Sequence, residues 1–183
     1  MSLAQAIATS ELTEAFWLEQ GSNLESMLVR VLMDIVEAGA VSKLGSDYNV
    51  YRRRLDRDRR KWFLVWLLRF FGPDGDMSII RTSRERVGQV GVEQAIVWIG
   101  SVQRADDIAI TETTRMYNWG VIQAKKYIDE QTITWYTVLD ERVCDICFPM
   151  HGVTIPIDGS FVLPTGEEVD GPPAHTRCRC ECQ

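Results

Sequence analysis

All five cysteines and both histidines of this 183-residue chain fall between positions 144 and 182. Read as written, the stretch runs Cys144-Asp-Ile-Cys147-Phe-Pro-Met-His151-Gly152, then a turn-rich connection, then Pro172-Pro173-Ala-His175-Thr-Arg-Cys178-Arg-Cys180-Glu-Cys182. A Cys-x2-Cys pair brings two thiolates from one tight turn to the same ion. A distant histidine and cysteine can complete a tetrahedron of nitrogen and sulfur, the donors that zinc prefers. Disulfides would use the same residues, but five cysteines leave one over and the N-terminus (MSLAQAIATS) carries no secretory signal. The pattern therefore predicts a structural zinc ion clamping a loop-rich segment whose apolar content is too low to fold alone.

Cys144 and Cys147 form the firm pair, and the other donors must come from His175, Cys178, Cys180 and Cys182. Spacing leaves two arrangements open. A strand over residues 177–182 would point Cys178, Cys180 and Cys182 to one face. A turn at His175-x2-Cys178 would instead mirror Cys144-x2-Cys147 in a compact Cys3His site. The reading favours His175 with Cys178 or Cys180, leaves Cys182 as the spare thiol, and assigns His151 to a turn before Gly152 rather than to the metal.

Upstream of this stretch the hydrophobic period is helical. Residues 11–38 carry Leu12, Phe16, Leu24, Leu28, Leu32 and Ile35 on one face, with Gly39 as the expected stop. A polar hinge at 42–49 leads to a second helix over 51–71. Its first half holds Arg52, Arg53, Arg54, Arg57, Arg59, Arg60 and Lys61 against Asp56 and Asp58, and its second half is apolar on nearly every side. The interleaved aspartates favour a solvated charged face over a phosphate-binding one. A third helix is expected over 83–99, opened by a Thr82-x-x-Glu85 capping box and weakened by Gly88 and Gly91. The most regular helix is expected over 102–128. From Thr132 the period changes to two, with Ile133, Trp135, Thr137 and Leu139 alternating with polar or outward positions, and short strands are expected at 153–157, 160–163 and 177–182.

The fold expected is thus α+β: a mostly helical body over residues 1–130, followed by a small zinc-stabilised β module over 131–183. Apolar residues at 45% are enough for a core, and the net charge of −6 argues against a protein that coats nucleic acid, while leaving room for a local basic patch. The longest apolar run, 62–68, is too short for a bilayer, so a soluble cytoplasmic product is expected.

Two blocks resemble a known family, the phage minor head or head morphogenesis proteins of the Mu F-like group. One is Asp107-Ile-Ala-Ile-Thr111-Glu112-Thr-Thr-Arg115-Met-Tyr117-Asn118-Trp-Gly120. The other is Trp135-x-Thr-x-x-Asp140-Glu-Arg-Val-Cys144-x-x-Cys147 with Gly152 and Pro172-Pro-x-His175-x-x-Cys178-Arg-Cys180. Ile110 departs from the pattern, standing where the family usually has an arginine. The resemblance implies a virion component inside the capsid, assembled in the host cytoplasm. Its implied partners are the portal protein, other head proteins and packaged double-stranded DNA, and it acts in head assembly or DNA delivery. Family members are often longer than this chain. Read on their own chemistry, Thr111, Glu112, Arg115 and Asn118 share one helix; Glu112 and Arg115 are placed for an ion pair, and the set could hydrogen-bond the helix to the β module.

No catalytic residue, small-molecule substrate or membrane contact is expected. A zinc deaminase needs His-x-Glu or Cys-x-Glu with Pro-Cys-x-x-Cys, a metalloprotease needs His-Glu-x-x-His, and neither is present. A zinc ribbon that binds nucleic acid through Arg177 and Arg179 is the alternative, opposed by the acidic total and by the acidic stretch 167–170.

Overall fold

In this computed structural model, residues 31, 33–71, 79–99 and 101–183 are described. Most of the helix expected over 11–38 lies outside them. The chain forms two compact units, one including Arg57–Ala105 and the other Val31–Asp56 with Asp106–Gln183. The architecture is α+β, helical first and stranded last.

In the unit holding Arg57–Ala105, the single helix expected over 83–99 is two: α3, Ile79–Val90, and α4, Val92–Ile99. The break is at Gly91, whose φ of +81° suits glycine, while Gly88 stays helical. Thr82 lies inside α3, so the expected capping box does not open that helix. The helix that follows is capped by Ser101, whose Oγ accepts the Arg104 N–H at 3.2 Å. Trp98 lies under the guanidinium groups of Arg86, 5.3 Å away, and Arg104, 3.9 Å away.

The other unit carries the β module on a helical base. Its first helix, α1 over residues 33–44, does not stop at Gly39. A Cβ on Gly39 would meet the Tyr117 carbonyl oxygen at 2.2 Å, and one on Gly120 would meet the Val36 carbonyl oxygen at 2.2 Å. Gly39 is thus a close-approach residue where α1 crosses α5, Val102–Tyr127. The expected hinge is reduced to one 3-10 turn, Gly45–Asp47, before α2, Tyr48–Phe71. Val36, Ala40, Leu44, Tyr48 and Leu55 are buried at helical spacing. The placed part of α2 in this unit stacks Tyr51 on Tyr127 at 5.8 Å. The side chains of 63–71, in the half that is apolar on nearly every side, lie outside the described residues.

Buried Lys125 pairs with Glu130, which also receives Lys43 at 2.9 Å. Burial raises the pKa of Glu130, but the hydrogen bonds from Lys125 and Lys43 outweigh it and keep it low. These contacts fix the turn into β1, Thr132–Tyr136, the middle strand of a sheet in the order β2-β1-β5, with β2 at Thr154–Pro156 and β5 at Glu181–Cys182. Both neighbours are antiparallel to β1, in registers that set Ile133 opposite Ile155 and Trp135 opposite Cys182. β3, Phe161–Val162, pairs with β4, Glu168–Val169, a strand the sequence pattern did not suggest.

The alternation predicted for residues 133–139 holds through Thr137 and fails at Leu139, which is exposed because the strand has ended. Only the end of the predicted strand 177–182 is a strand, since Arg177 has a φ of +59°. Trp135 and Phe161 meet edge to face at 5.2 Å in a core shared with Val121, Met150, Leu163 and four of the cysteines.

Candidate metal centre

Three segments of the β module deliver the donors. The first is the turn after β1, where Cys144 and Cys147 are brought together by the Cys147 N–H, which reaches the Cys144 Sγ at 3.4 Å, and by the Phe148 N–H, which donates to the Cys144 carbonyl at 2.9 Å. The second is the stretch through the cis Pro172–Pro173 peptide to His175. A turn follows, with the Cys178 N–H donating to the His175 carbonyl at 3.1 Å, so His175-x2-Cys178 does mirror the first pair. The third is the tail that continues to Cys180.

His175 Nε2 stands 3.1 Å from the Sγ of Cys144 and 3.1 Å from that of Cys147, and Cys147 Sγ is 3.7 Å from Cys178 Sγ. With zinc–sulfur bonds of about 2.3 Å, two thiolates of one tetrahedron stand about 3.8 Å apart, so the spacing fits a shared ion. The donors fall into two groups, Cys144 with Cys147 and His175, and Cys147 with Cys178 and Cys180, each lying within 4.8 Å of one another. Each of the five residues singled out by spacing falls in one of these groups, and Cys147 is common to both.

The tautomer of His175 suits ligation. Its Nδ1 lies 2.7 Å from the Thr176 carbonyl, which can only accept, so the proton sits on Nδ1 and Nε2 presents a lone pair to the thiol side. Burial, with Cys178 nearby, pushes the Cys147 thiol up to about 12. Cys178 is raised by its hydrogen bond to Cys180 and by burial, and Cys180 is lowered by that same hydrogen bond. A divalent cation would replace the protons that these sulfurs otherwise hold. The indole N–H of Trp135 is buried without a hydrogen-bond partner, and it also favours the Cys180 thiolate. Electron-rich, metal-bound sulfur is an acceptor suited to that donor. With several thiolates and a histidine, the donor set fits a closed structural site better than a catalytic one.

His151 and Cys182 lie in neither group. His151 is exposed, ends the 3-10 turn Phe148–Met150, and accepts the Thr137 N–H on Nδ1 at 3.2 Å. Cys182 is buried, and burial raises it to about 12 while Lys125 pulls the other way.

Behind the donors, α5 holds the tail through its backbone. Thr111 Oγ1 accepts the Arg177 N–H at 3.0 Å, and Thr114 Oγ1 donates to the Cys178 carbonyl at 3.0 Å. Asn118, 1% exposed, donates from Nδ2 to the Cys180 carbonyl at 3.1 Å and accepts the Cys182 N–H on Oδ1 at 2.6 Å. Arg177 also pairs with Asp107. Glu112 and Arg115 form the expected ion pair, at 3.1 Å. Thr114 escaped sequence reasoning although it lies three residues from Thr111 and four from Asn118, on the same helical face.

On the solvent side, Arg179 grips Asp140 with both guanidinium nitrogens, at 2.8 and 2.6 Å. That fork holds the Asp140 carboxyl well below the usual carboxylate range, the Arg142 N–H adding a second contribution.

The helix block, the two metal-turn halves and the tail are thus parts of one construction, and comparison with known families covers all of them. The family model described as Phage Mu protein F like protein matches residues 75–183. The chain belongs to this family. Membership agrees with the resemblance carried by the two sequence blocks, and the matched span includes both donor groups and the Thr111–Asn118 face of α5. It brings with it the coarse assignment to phage head morphogenesis. No curated protein and no solved structure matches the chain. Among the described residues, no helix of this Mu F-like protein is long and apolar enough to cross a membrane.

Proposed function

We propose that this protein is a non-enzymatic minor component of a phage head, acting in capsid assembly or DNA delivery from the capsid interior. Its C-terminal module is built around a structural zinc ion held by Cys144, Cys147, His175 and the Cys178–Cys180 pair. The family match over residues 75–183 carries the reading. The thiolate-rich donor set supports a structural ion, because zinc with three or more thiolate ligands and no open position is a poor Lewis acid.

The partners we assign are the portal protein and other head proteins, with packaged double-stranded DNA as a further one. The alternative, a nucleic-acid-binding zinc ribbon, loses support from the site itself. Arg177 is engaged by Asp107 and Arg179 by Asp140, which leaves the exposed Arg52 and Arg53 of α2 as the more open basic residues.

Metal analysis of the purified protein, joined to a pull-down with a portal protein from the same phage, tests the proposal. One zinc per chain and retention of the portal are expected; absence of zinc overturns the metal assignment, and absence of portal binding overturns the partner assignment. Filter binding to duplex DNA over a salt series tests the last partner, since binding absent even at low salt removes it.

A further inference from the structure

Five candidate donors lie in two groups of three that share Cys147, and a tetrahedral ion takes four. The geometry points to a fourth coordination position shared between Cys178 and Cys180, so that one thiol is always held beside the ion as a replacement ligand. This inference rests on the structural-zinc reading above and concerns how that site is built.

The two halves of the site differ. Cys144, Cys147 and His175 are each single-purpose: both sulfurs lie 3.1 Å from the same Nε2, and the Nδ1 contact orients the ring. On the tail side, Cys178 and Cys180 stand together within 4.8 Å of Cys147 and of each other. Arg179 between them turns to Asp140 while both cysteines are buried near Cys147, which lets both sulfurs face one ion. Their backbones are held alike: Thr114 binds the Cys178 carbonyl and Asn118 the Cys180 carbonyl, at 3.0 and 3.1 Å. Cys180 has an alternative contact for when it is not bound to metal: it can donate to Thr137 Oγ1 at 3.5 Å, because that hydroxyl spends its own proton on the Cys147 carbonyl at 2.9 Å. The 3.7 Å between Cys178 and Cys147 is the spacing of two sulfurs on one ion. Both are at most 3% exposed, so the exchange takes place out of reach of solvent.

Cobalt titration of the full chain and of Cys178→Ser, Cys180→Ser, the double variant and Cys144→Ser tests this, reading the thiolate-to-cobalt absorption and the number of ions bound. One ion per chain is expected, with each tail variant within about tenfold of the wild type and the double variant and Cys144→Ser weakened by more than about 100-fold. A single tail variant that loses the ion as fully as the double variant overturns the shared position, as does a stoichiometry of two ions. If the wild type takes up no cobalt, the metal reading itself falls, an outcome distinct from the others. Should a variant fail to fold, cadmium-113 spectra of the unaltered protein give the same answer. Coupling from cadmium to the β-protons of both Cys178 and Cys180 is expected, and coupling to one alone refutes the proposal.

Discussion

The tail from Arg177 to Gln183 is held on two sides by different means. Toward the β module its side chains, Cys178 and Cys180, join a cluster of candidate metal donors. Toward α5 its peptide groups are bound by Thr111, Thr114 and Asn118. A metal site demands particular side chains, so it is recorded in residue type and spacing on both partners. Peptide binding demands them only of the helix, and any tail sequence presents the same carbonyls and N–H groups. The two sides therefore differ in what substitutions they tolerate, and perturbing each in turn separates them.

The largest effect is expected from Cys147→Ser or from chelation, because Cys147 belongs to both donor groups. Structural zinc in small modules supplies about 10–16 kcal/mol of apparent binding free energy, so the β module should lose its fixed structure while helical circular dichroism largely persists. Near-ultraviolet signal from Trp135 reports the loss, and an unchanged signal after complete metal removal would show that the apolar core suffices. Asn118→Ala strikes the helix side. It leaves the Cys180 carbonyl and the Cys182 N–H unsatisfied in a buried place, at a cost of about 1–3 kcal/mol. Loss of an outer contact to a ligand segment should also weaken metal binding by about 10–100-fold, measured by competition with a chromophoric chelator. If stability falls and metal affinity does not, the two sides of the tail are independent.

Thr114→Val removes one hydrogen bond of the same face without opening a cavity, and should cost about 0.5–1.5 kcal/mol in denaturant melts. The smallest effect belongs to Asp140→Asn. The Asp140 carboxyl is depressed in the folded chain, so its contribution is present above the unfolded value of about 3.9 and is lost as pH falls below it. The variant should melt slightly below the wild type near neutrality, and the two should converge as pH falls, giving the variant the flatter acid limb in a pH series of melting temperatures. An equal acid limb in both would show that the Arg179 fork is screened away by solvent.

How much of this was legible follows the same division. The two candidate donor groups were readable because few other roles demand Cys-x2-Cys and His-x2-Cys together, and the β period at Ile133 and Trp135 was readable because one face is buried. How Cys178 and Cys180 are presented to them was not, since it depends on the path of residues 177–180. That path is set by Arg177 in the left-handed region and by contacts to a helix more than sixty positions away. Gly39 misled for a related reason. A glycine at a helix end and a glycine at a helix crossing have the same sequence signature, and only Tyr117, distant in sequence, distinguishes them. Gly91 did break its helix, where its positive φ decides.

The amide of Asn118 has a consequence beyond holding the metal segment. β5 is an outer strand of the sheet, and its Cys182 N–H faces away from β1. An outer strand with open peptide groups is a template on which another chain can add a strand. Here the helix already occupies those groups, with the Asn118 side chain standing in for a neighbouring strand. The opposite edge, β2, ends in Pro156, which has no N–H to offer. A small sheet closed in this way resists growing by edge pairing, so copies of the protein crowded together during assembly have less tendency to polymerise through their C-terminal modules.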